Sequence, residues 1–395
     1  MKKIFILAFY TGLALGVLSC REDERLPITS GATPRSVSQF SVVNLAGGAE
    51  ISYEIPDENV AYVLAEYYLK GSKQQVRSSK YRDHVVVEGF PEAGSYEVSL
   101  FAVGRNEQRS EPTVVEISPL TPPVQEAFNT LNLIADFGGA NVAGENALES
   151  DLVLEVITPG ATGEWEVAEQ FFTSSKNINF SARGFDTDKR KFGVYVRDRW
   201  LNYSDTLFAE FSPYFEEQVD MSNFYETNLP GDASQMHQTG AARRMSWLFD
   251  GRTGNQQYGY YSLLNTGVPQ HFTIFLQGEY QLSRIKLWQH IDSKLTYGSA
   301  NPRRFRVWGS MDPNPDGSFD DSWYLLGEFE NIKPSGLPVG ETSAEDIATA
   351  TAGEEYTFSL DVPTARYIRV ETLETWGRTQ HVYITEMGIW GGKVN

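Results

Sequence analysis

Trp376, Arg378 and His381 fall within six residues, Trp376-Gly377-Arg378-Thr379-Gln380-His381, and these are side-chain types that bind. An indole gives a flat apolar face, a guanidinium a fork of donors, and an imidazole a donor or an acceptor. Together they suit a molecule whose C–H patches are framed by hydroxyls, as in a sugar. Exposing them beside a glycine without a ligand is costly, so ligand contact is the expectation and solvated decoration the alternative. A second chemistry sits at the other end. Cys20, the only cysteine in 395 residues, closes Leu15-Gly16-Val17-Leu18-Ser19-Cys20 after a Met1-Lys2-Lys3 start and an apolar run. That pattern describes a secretion signal ending in a lipobox, which predicts cleavage of residues 1–19 and a covalent lipid (palmitate or similar acyl chains) on Cys20. An ordinary cleaved signal or a short anchor are the alternatives, although the apolar run falls short of the roughly 20 residues that cross a bilayer. A single cysteine excludes an internal disulfide.

Arg21-Glu22-Asp23-Glu24-Arg25 opens a polar stretch, residues 20–35, that buries nothing and is predicted to be a flexible tether. It resembles the acidic export signal that sends lipoproteins of the Bacteroidota to the outer face of the outer membrane. The chain as a whole carries 52 Asp and Glu against 33 Lys and Arg, a formal charge of −19, which repels phosphate backbones and excludes nucleic acid as a partner. No G-x-S-x-G elbow, phosphate loop or H-E-x-x-H is present, so the sequence predicts a non-enzyme.

Short segments of period two separated by Gly and Pro must position these groups, which predicts an all-β chain. Ile51-Ser52-Tyr53-Glu54-Ile55, Val85-Val86-Val87 and the stretch from Tyr96 to Val103 alternate this way, and a Pro-rich joint follows from Ser118 to Pro123. A gapless alignment sets residues 95–119 on 189–213. Val98, Leu100 and Ala102 then meet Phe192, Val194 and Val196, and Ser110 meets Ser204. Two tandem sandwiches are predicted, residues 36–119 and 120–215, both resembling fibronectin type III domains. Trp165, Trp200 and His84 are isolated, and both sandwiches read as spacers.

Six of the eight tryptophans and four of the five histidines lie beyond residue 216. The blocks Trp247-Leu248-Phe249-Asp250-Gly251, Phe272 to Leu276, Leu282 to Trp288, Pro302 to Ser310, Ala365 to Val370 and Ile384 to Gly391 follow in order. In order and spacing they resemble the discoidin, or coagulation factor five/eight type C, domain, a jelly-roll sandwich of the galactose-binding-like class, and the reading assigns residues 216–395 to it. Trp308 and Trp390, lying in strands, are expected in the core. Asp312-Pro313-Asn314-Pro315-Asp316-Gly317-Ser318 looks like the start of an EF-hand loop, but Trp323 stands at the twelfth position, so a hairpin loop is the better reading.

The resemblance implies more than a fold. It implies a structural calcium ion held by Asp250 and Glu386 with Thr253 and Asn255, opposed by Arg252 unless that side chain points away; the alternative is Asp250 as a turn cap. It implies a glycan held in loops at one end, here the loop 258–261 with Tyr260, the stretch with Trp288, His290, Tyr297 and Asn301, and the loop with Trp376, Arg378 and His381. The chain is then expected to be a surface lipoprotein of the outer membrane, facing the exterior, with two spacers lifting a glycan-binding module. Its expected kin are accessory lipoproteins that work beside outer-membrane sugar importers or hydrolases. The alternatives are an adhesion protein or a structural subunit that binds a protein or a host surface component.

Overall fold

The computed structural model describes residues 31–234, 244–253, 259–292 and 294–394. Cys20, the secretion signal and Asn255 lie outside the described residues. Nearly every element is a β-strand, and among the described residues no helix is long and apolar enough to cross a membrane.

The first sandwich sets a three-stranded sheet, in the order Ser38–Leu45, Gly48–Glu54, His84–Glu88, against a four-stranded one, in the order Ser72–Ser79, Val60–Leu69, Tyr96–Gly104, Thr113–Ile117. The second repeats that plan. Asn132–Asp136, Gly139–Glu145 and Asn177–Ala182 pair in that order, facing Trp165–Thr173, Leu152–Pro159, Arg190–Arg197 and Leu207–Phe211. Alternation decides what is buried: Val98, Leu100 and Ala102 point into the first core, and their aligned partners Phe192, Val194 and Val196 into the second. Full burial of each large apolar side chain here stabilises its sandwich by about 1.5–3 kcal/mol. The end of the segment read as a tether lies against the first sandwich, with the Arg35 backbone N–H donating to Asp57 at 2.8 Å and Asn106 donating to the Gly31 carbonyl at 2.9 Å.

Chain exit uses one device twice. Gly47 N–H donates to the Leu120 carbonyl at 3.0 Å, and Gly138 N–H to the Tyr214 carbonyl at 2.8 Å, so the strand leaving each sandwich is paired at its turn before the next begins.

The C-terminal region is built on a seven-stranded antiparallel sheet. Its order is Glu217–Gln218, Glu386–Lys393, Gln270–Trp288, Ala365–Thr375, Pro302–Ser310 and Tyr324–Glu330, with Glu354–Thr357 also pairing to the 19-residue strand. That strand bends where its register shifts between Phe275 and Tyr280. Phe272, Ile274 and Leu276 enter the core before the bend, and Leu282, Ile285 and Leu287 after it. Ile368, Val370, Met387 and Ile389 meet them from the neighbouring strands.

Trp308 and Trp390 lie in strands but outside this core. Each is half-buried on an outward face, Trp308 donating to Glu371 at 3.0 Å and Trp390 under the Arg284 guanidinium at 4.2 Å. Alternation explains the difference, since the flanking Val307 and Ile389 take the inward positions. Over the outer face, the hairpin loop between Pro302–Ser310 and Tyr324–Glu330 folds back. There the fully buried Arg369 sits against Phe319 and Trp323, its Nε donating to Thr273 at 3.1 Å. Asp320 in that loop accepts from Ser318 and Ser322, which fits a hairpin rather than a cation loop.

Candidate functional site

At one end of the C-terminal sandwich, the loop between Ala365–Thr375 and Tyr383–Ile384 is stitched to the loop that follows Trp288. Trp376 N–H donates to the Asn301 carbonyl at 3.0 Å, Gly377 N–H to Ser299 at 2.6 Å and Tyr383 N–H to Ala300 at 2.9 Å. A Cβ at Gly377 would stand 2.6 Å from the Ser299 carbonyl oxygen, so only glycine lets the loops close.

Trp376 is half-buried and held on three sides. Its Nε1 donates to Asn331 Oδ1 at 2.8 Å, the Tyr297 ring meets it edge-on at 5.6 Å, and the Arg303 guanidinium lies 5.0 Å from its centroid. A ligand at this end would meet only the part of the indole that Arg303 leaves open. Arg378 is exposed at the turn, with a backbone φ of 52°.

His381 opens a chain of rings. Tyr261 hydroxyl and His381 Nε2 are 3.0 Å apart, Tyr261 packs edge-on against both His381 and Tyr383, and His290 meets Tyr383 edge-on at 4.6 Å. His290, Tyr261 and His381 are each half-buried.

Buried amides fix the loops from below. Asn301 Oδ1 accepts the His290 N–H at 2.8 Å while its Nδ2 donates to the Leu295 carbonyl at 2.8 Å. Gln289 Oε1 accepts the Tyr297 N–H at 2.6 Å, and its Nε2 donates to Glu354 at 2.9 Å. Burial pushes the Glu354 carboxyl above its ordinary pKa, against the donors that surround it.

Two of the expected contact residues are supports instead. Tyr260 and Tyr297 are both fully buried, Tyr260 with its hydroxyl donating to the Ala233 carbonyl at 2.8 Å and Tyr297 behind Trp376. Trp288 is half-buried at its strand end, with its ring laid over Gly353, where a Cβ would come within 2.5 Å of the indole.

The expected calcium ligands are partly assembled. Asp250 lies at the end of the short helix Met245–Phe249, and Glu386 at the start of its strand. Glu386 is 6% exposed; its Oε1 accepts the Gly251 N–H at 3.2 Å and its Oε2 has no hydrogen-bond partner. Burial, with the Asp250 charge adding to it, pushes its pKa up to about 8. An orphaned carboxylate oxygen of this kind fits a cation, and a cavity of about 340 Å³ opens beside it, lined by Asp220, Ser222 and Gly251 among others. Arg252 does not point away, however, since its Nε lies 3.7 Å from Asp250 Oδ2. Thr253 is exposed, and among the described residues no cluster of three or more His, Cys, Asp or Glu forms a metal cage.

Three families, each described as a domain of unknown function, match successive parts of the chain: DUF4959 over residues 34–119, DUF5126 over 120–222 and DUF5000 over 249–391. No curated protein matches it. Among solved structures, the SusE-like protein BT2857 is 31% identical, with 100% of that chain and 69% of this one covered, at a TM-score of 0.44. The identity runs the whole length of that relative. The chain belongs to the SusE-like family. Fainter likenesses include the C-terminal domain of a chitobiase from Bacteroides fragilis at 20% identity, covering 45% of this chain and 100% of that one, with a TM-score of 0.31. A two-domain fibronectin type III segment of chicken tenascin is 13% identical, covers 45% and 98%, and has a TM-score of 0.21.

In this SusE-like chain, the loops bring Trp376, His381 and His290 to one end of the sandwich and add residues that the motifs did not single out. Tyr261 rather than its neighbour Tyr260 faces the loops, and Asn331 and Arg303 hold the indole. Alternation in a strand tells that one of two adjacent tyrosines points outward. Only the pairing of Tyr260 with Ile384 and Tyr261 with Tyr383 tells which.

Proposed function

We propose that this SusE-like chain is a non-catalytic cell-surface lipoprotein whose discoidin-like C-terminal module binds glycan at the end where its two loops are stitched together. The observation that carries the reading is that junction: main-chain bonds from Trp376 and Gly377 to Asn301 and Ser299 gather a restrained indole, an exposed guanidinium and a chain of four rings. Such a set offers stacking for sugar C–H faces and directional partners for hydroxyls. Membership of the SusE-like family supports the same reading. The lipid on Cys20 would hold the chain in the outer membrane facing the exterior, beside outer-membrane transport or hydrolase proteins that take up the captured glycan. Calcium is proposed as a structural cofactor, held by Asp250, Glu386 and loop carbonyls.

A glycan array with the full-length chain in mild detergent, repeated with Trp376→Ala and with chelator, tests this. Saturable binding to a defined oligosaccharide that is lost in Trp376→Ala supports the reading. Silence across a broad array overturns it and leaves a protein partner, as in adhesion or scaffolding.

A further inference from the structure

We infer that the glycan taken at this end is anionic, bearing a carboxylate or a sulfate ester, and that Arg378 selects for it. The inference rests on the glycan-binding reading and narrows it.

Charge comes first. Arg303 is engaged, lying 3.2 Å from Glu374 and 3.2 Å from Glu330. Arg378 and Lys294 are both exposed, and no side-chain hydrogen bond or ion pair engages either cation among the described residues. Lys294 belongs to the loop to which Gly377 is bonded. The neighbouring acid, Asp292, spends Oδ1 on the Lys294 backbone N–H at 3.2 Å. On a chain of formal charge −19, acidic partners are plentiful, yet these two cations of the stitched loops are engaged by none of them among the described residues. The prevailing field repels an anion at long range, so selection must come from direct pairing, for which a guanidinium fork suits both carboxylate and sulfate.

Backbone strain points to the same place. Among the described residues eleven that are not glycine adopt a positive φ, and three of them, Tyr297 (48°), Ser299 (49°) and Arg378 (52°), lie in the two stitched loops. Each costs on the order of 1 kcal/mol relative to ordinary backbone, and such costs persist where function holds a conformation in place. The left-handed turn at Arg378 follows a glycine that already closes the loops, so packing alone does not ask for an arginine there.

The test is titration of the full-length chain with matched probes: a galacturonate tetramer and its methyl ester, and a sulfated galactose tetramer and its unsulfated counterpart. A charged probe should bind at least about tenfold tighter than its neutral match, the worth of one charge-assisted pair. That preference, read as the charged-to-neutral affinity ratio within each matched pair, should vanish in Arg378→Gln and survive in part in Arg378→Lys. Preference within the first pair names a carboxylate, and within the second a sulfate. Equal binding of charged and neutral probes, or a preference that survives Arg378→Gln, overturns the inference while glycan binding stands. Failure to bind these probes or any oligosaccharide of a broad array overturns both.

Discussion

Ser110 and Ser204 do the same work in successive sandwiches. Each hydroxyl oxygen accepts the N–H of a facing strand residue, Ala102 at 3.0 Å and Val196 at 2.8 Å, and donates to the carbonyl of the next residue in the chain, Glu111 at 2.8 Å and Asp205 at 2.7 Å. Each serine N–H also returns to the same strand residue at 2.9 Å. Replacing either serine by alanine strands a strand N–H without an acceptor. Ser110→Ala and Ser204→Ala should each cost about 1–3 kcal/mol, read by urea unfolding, and should add in the double variant because they share no partner. Unequal effects, one near zero, would mean the two returns are not equivalent.

The two adjacent tyrosines should separate cleanly. Tyr261→Phe removes the partner of His381 Nε2 from a half-buried position, so ligand affinity should fall by about tenfold with little change in melting temperature. Tyr260→Phe strips the buried donor to the Ala233 carbonyl and should cost about 1 kcal/mol of stability while leaving affinity near wild type. Paired melting and titration curves check both, and swapped phenotypes would refute the assignment of the outward ring.

Strands and their repetition were legible in the sequence because burial at period two writes itself into residue types. Val98, Leu100 and Ala102 and their counterparts Phe192, Val194 and Val196 are all fully buried, as the alignment requires. The identical strand order of the two sandwiches follows from that repeat. The site was legible only as a composition of loops. Tyr297 has the chemistry of a contact residue and the position of a wedge, and nothing local separates the two, because the ring set against it, Trp376, is distant in the chain. Asn331 carries no motif at all; it matters because one strand ends beside the indole.

His271 makes the protein sensitive to acid. Burial, with the Arg369 charge adding to it, lowers its pKa to about 4, below the ordinary value of 6.5. The unfolded chain therefore takes up a proton at a pH where the folded chain does not. Stability from this group is present above about 6.5 and is lost as pH falls toward 4. Asp232, 3.6 Å away, is itself raised by burial, so the contribution is isolated by comparison with a variant. Between pH 6.5 and 4 the decline should be shallower in His271→Gln than in wild type, and equal slopes would place the acid sensitivity elsewhere.

Calcium should stabilise the chain through Glu386. A ligand that binds only the folded state raises stability with its concentration, by about 2.7 kcal/mol at a hundred times its dissociation constant. The melting temperature should rise with added calcium and fall back with chelator, and Glu386→Gln should remove that response without unfolding the module. The wild-type response should strengthen with rising pH through about 8, where the carboxyl gives up its proton. Thermal scans unchanged by calcium at pH 8.5 would exclude the ion.

Glu216 holds the second sandwich to the C-terminal one. It receives Arg183 Nη1 at 3.1 Å from one side and Arg284 Nη2 at 2.8 Å from the other, with Ser283 donating at 2.6 Å. Asp136 lies 3.4 Å from Arg183, and Glu355 lies 2.6 Å from Arg284. The backbone reinforces the joint: Tyr214 N–H donates to the Asp136 carbonyl at 2.9 Å, and Glu217–Gln218 pairs with Trp390 and Gly391. Glu216→Ala leaves two largely buried guanidinium groups short of their shared carboxylate, a loss of about 3–5 kcal/mol. Each sandwich keeps its own core, so the loss should appear as a loosened joint rather than as unfolding. Small-angle scattering should show a broader distribution of sizes for Glu216→Ala and an intermediate one for Glu216→Gln, with glycan binding unchanged because the loops lie elsewhere. Raising the salt to 1 M should leave the wild type compact, since buried pairs are weakly screened. A wild type that loosens in salt as the variant does would show that the cluster is solvated, and a Glu216→Ala chain as compact as the wild type would show that the paired backbone alone carries the joint.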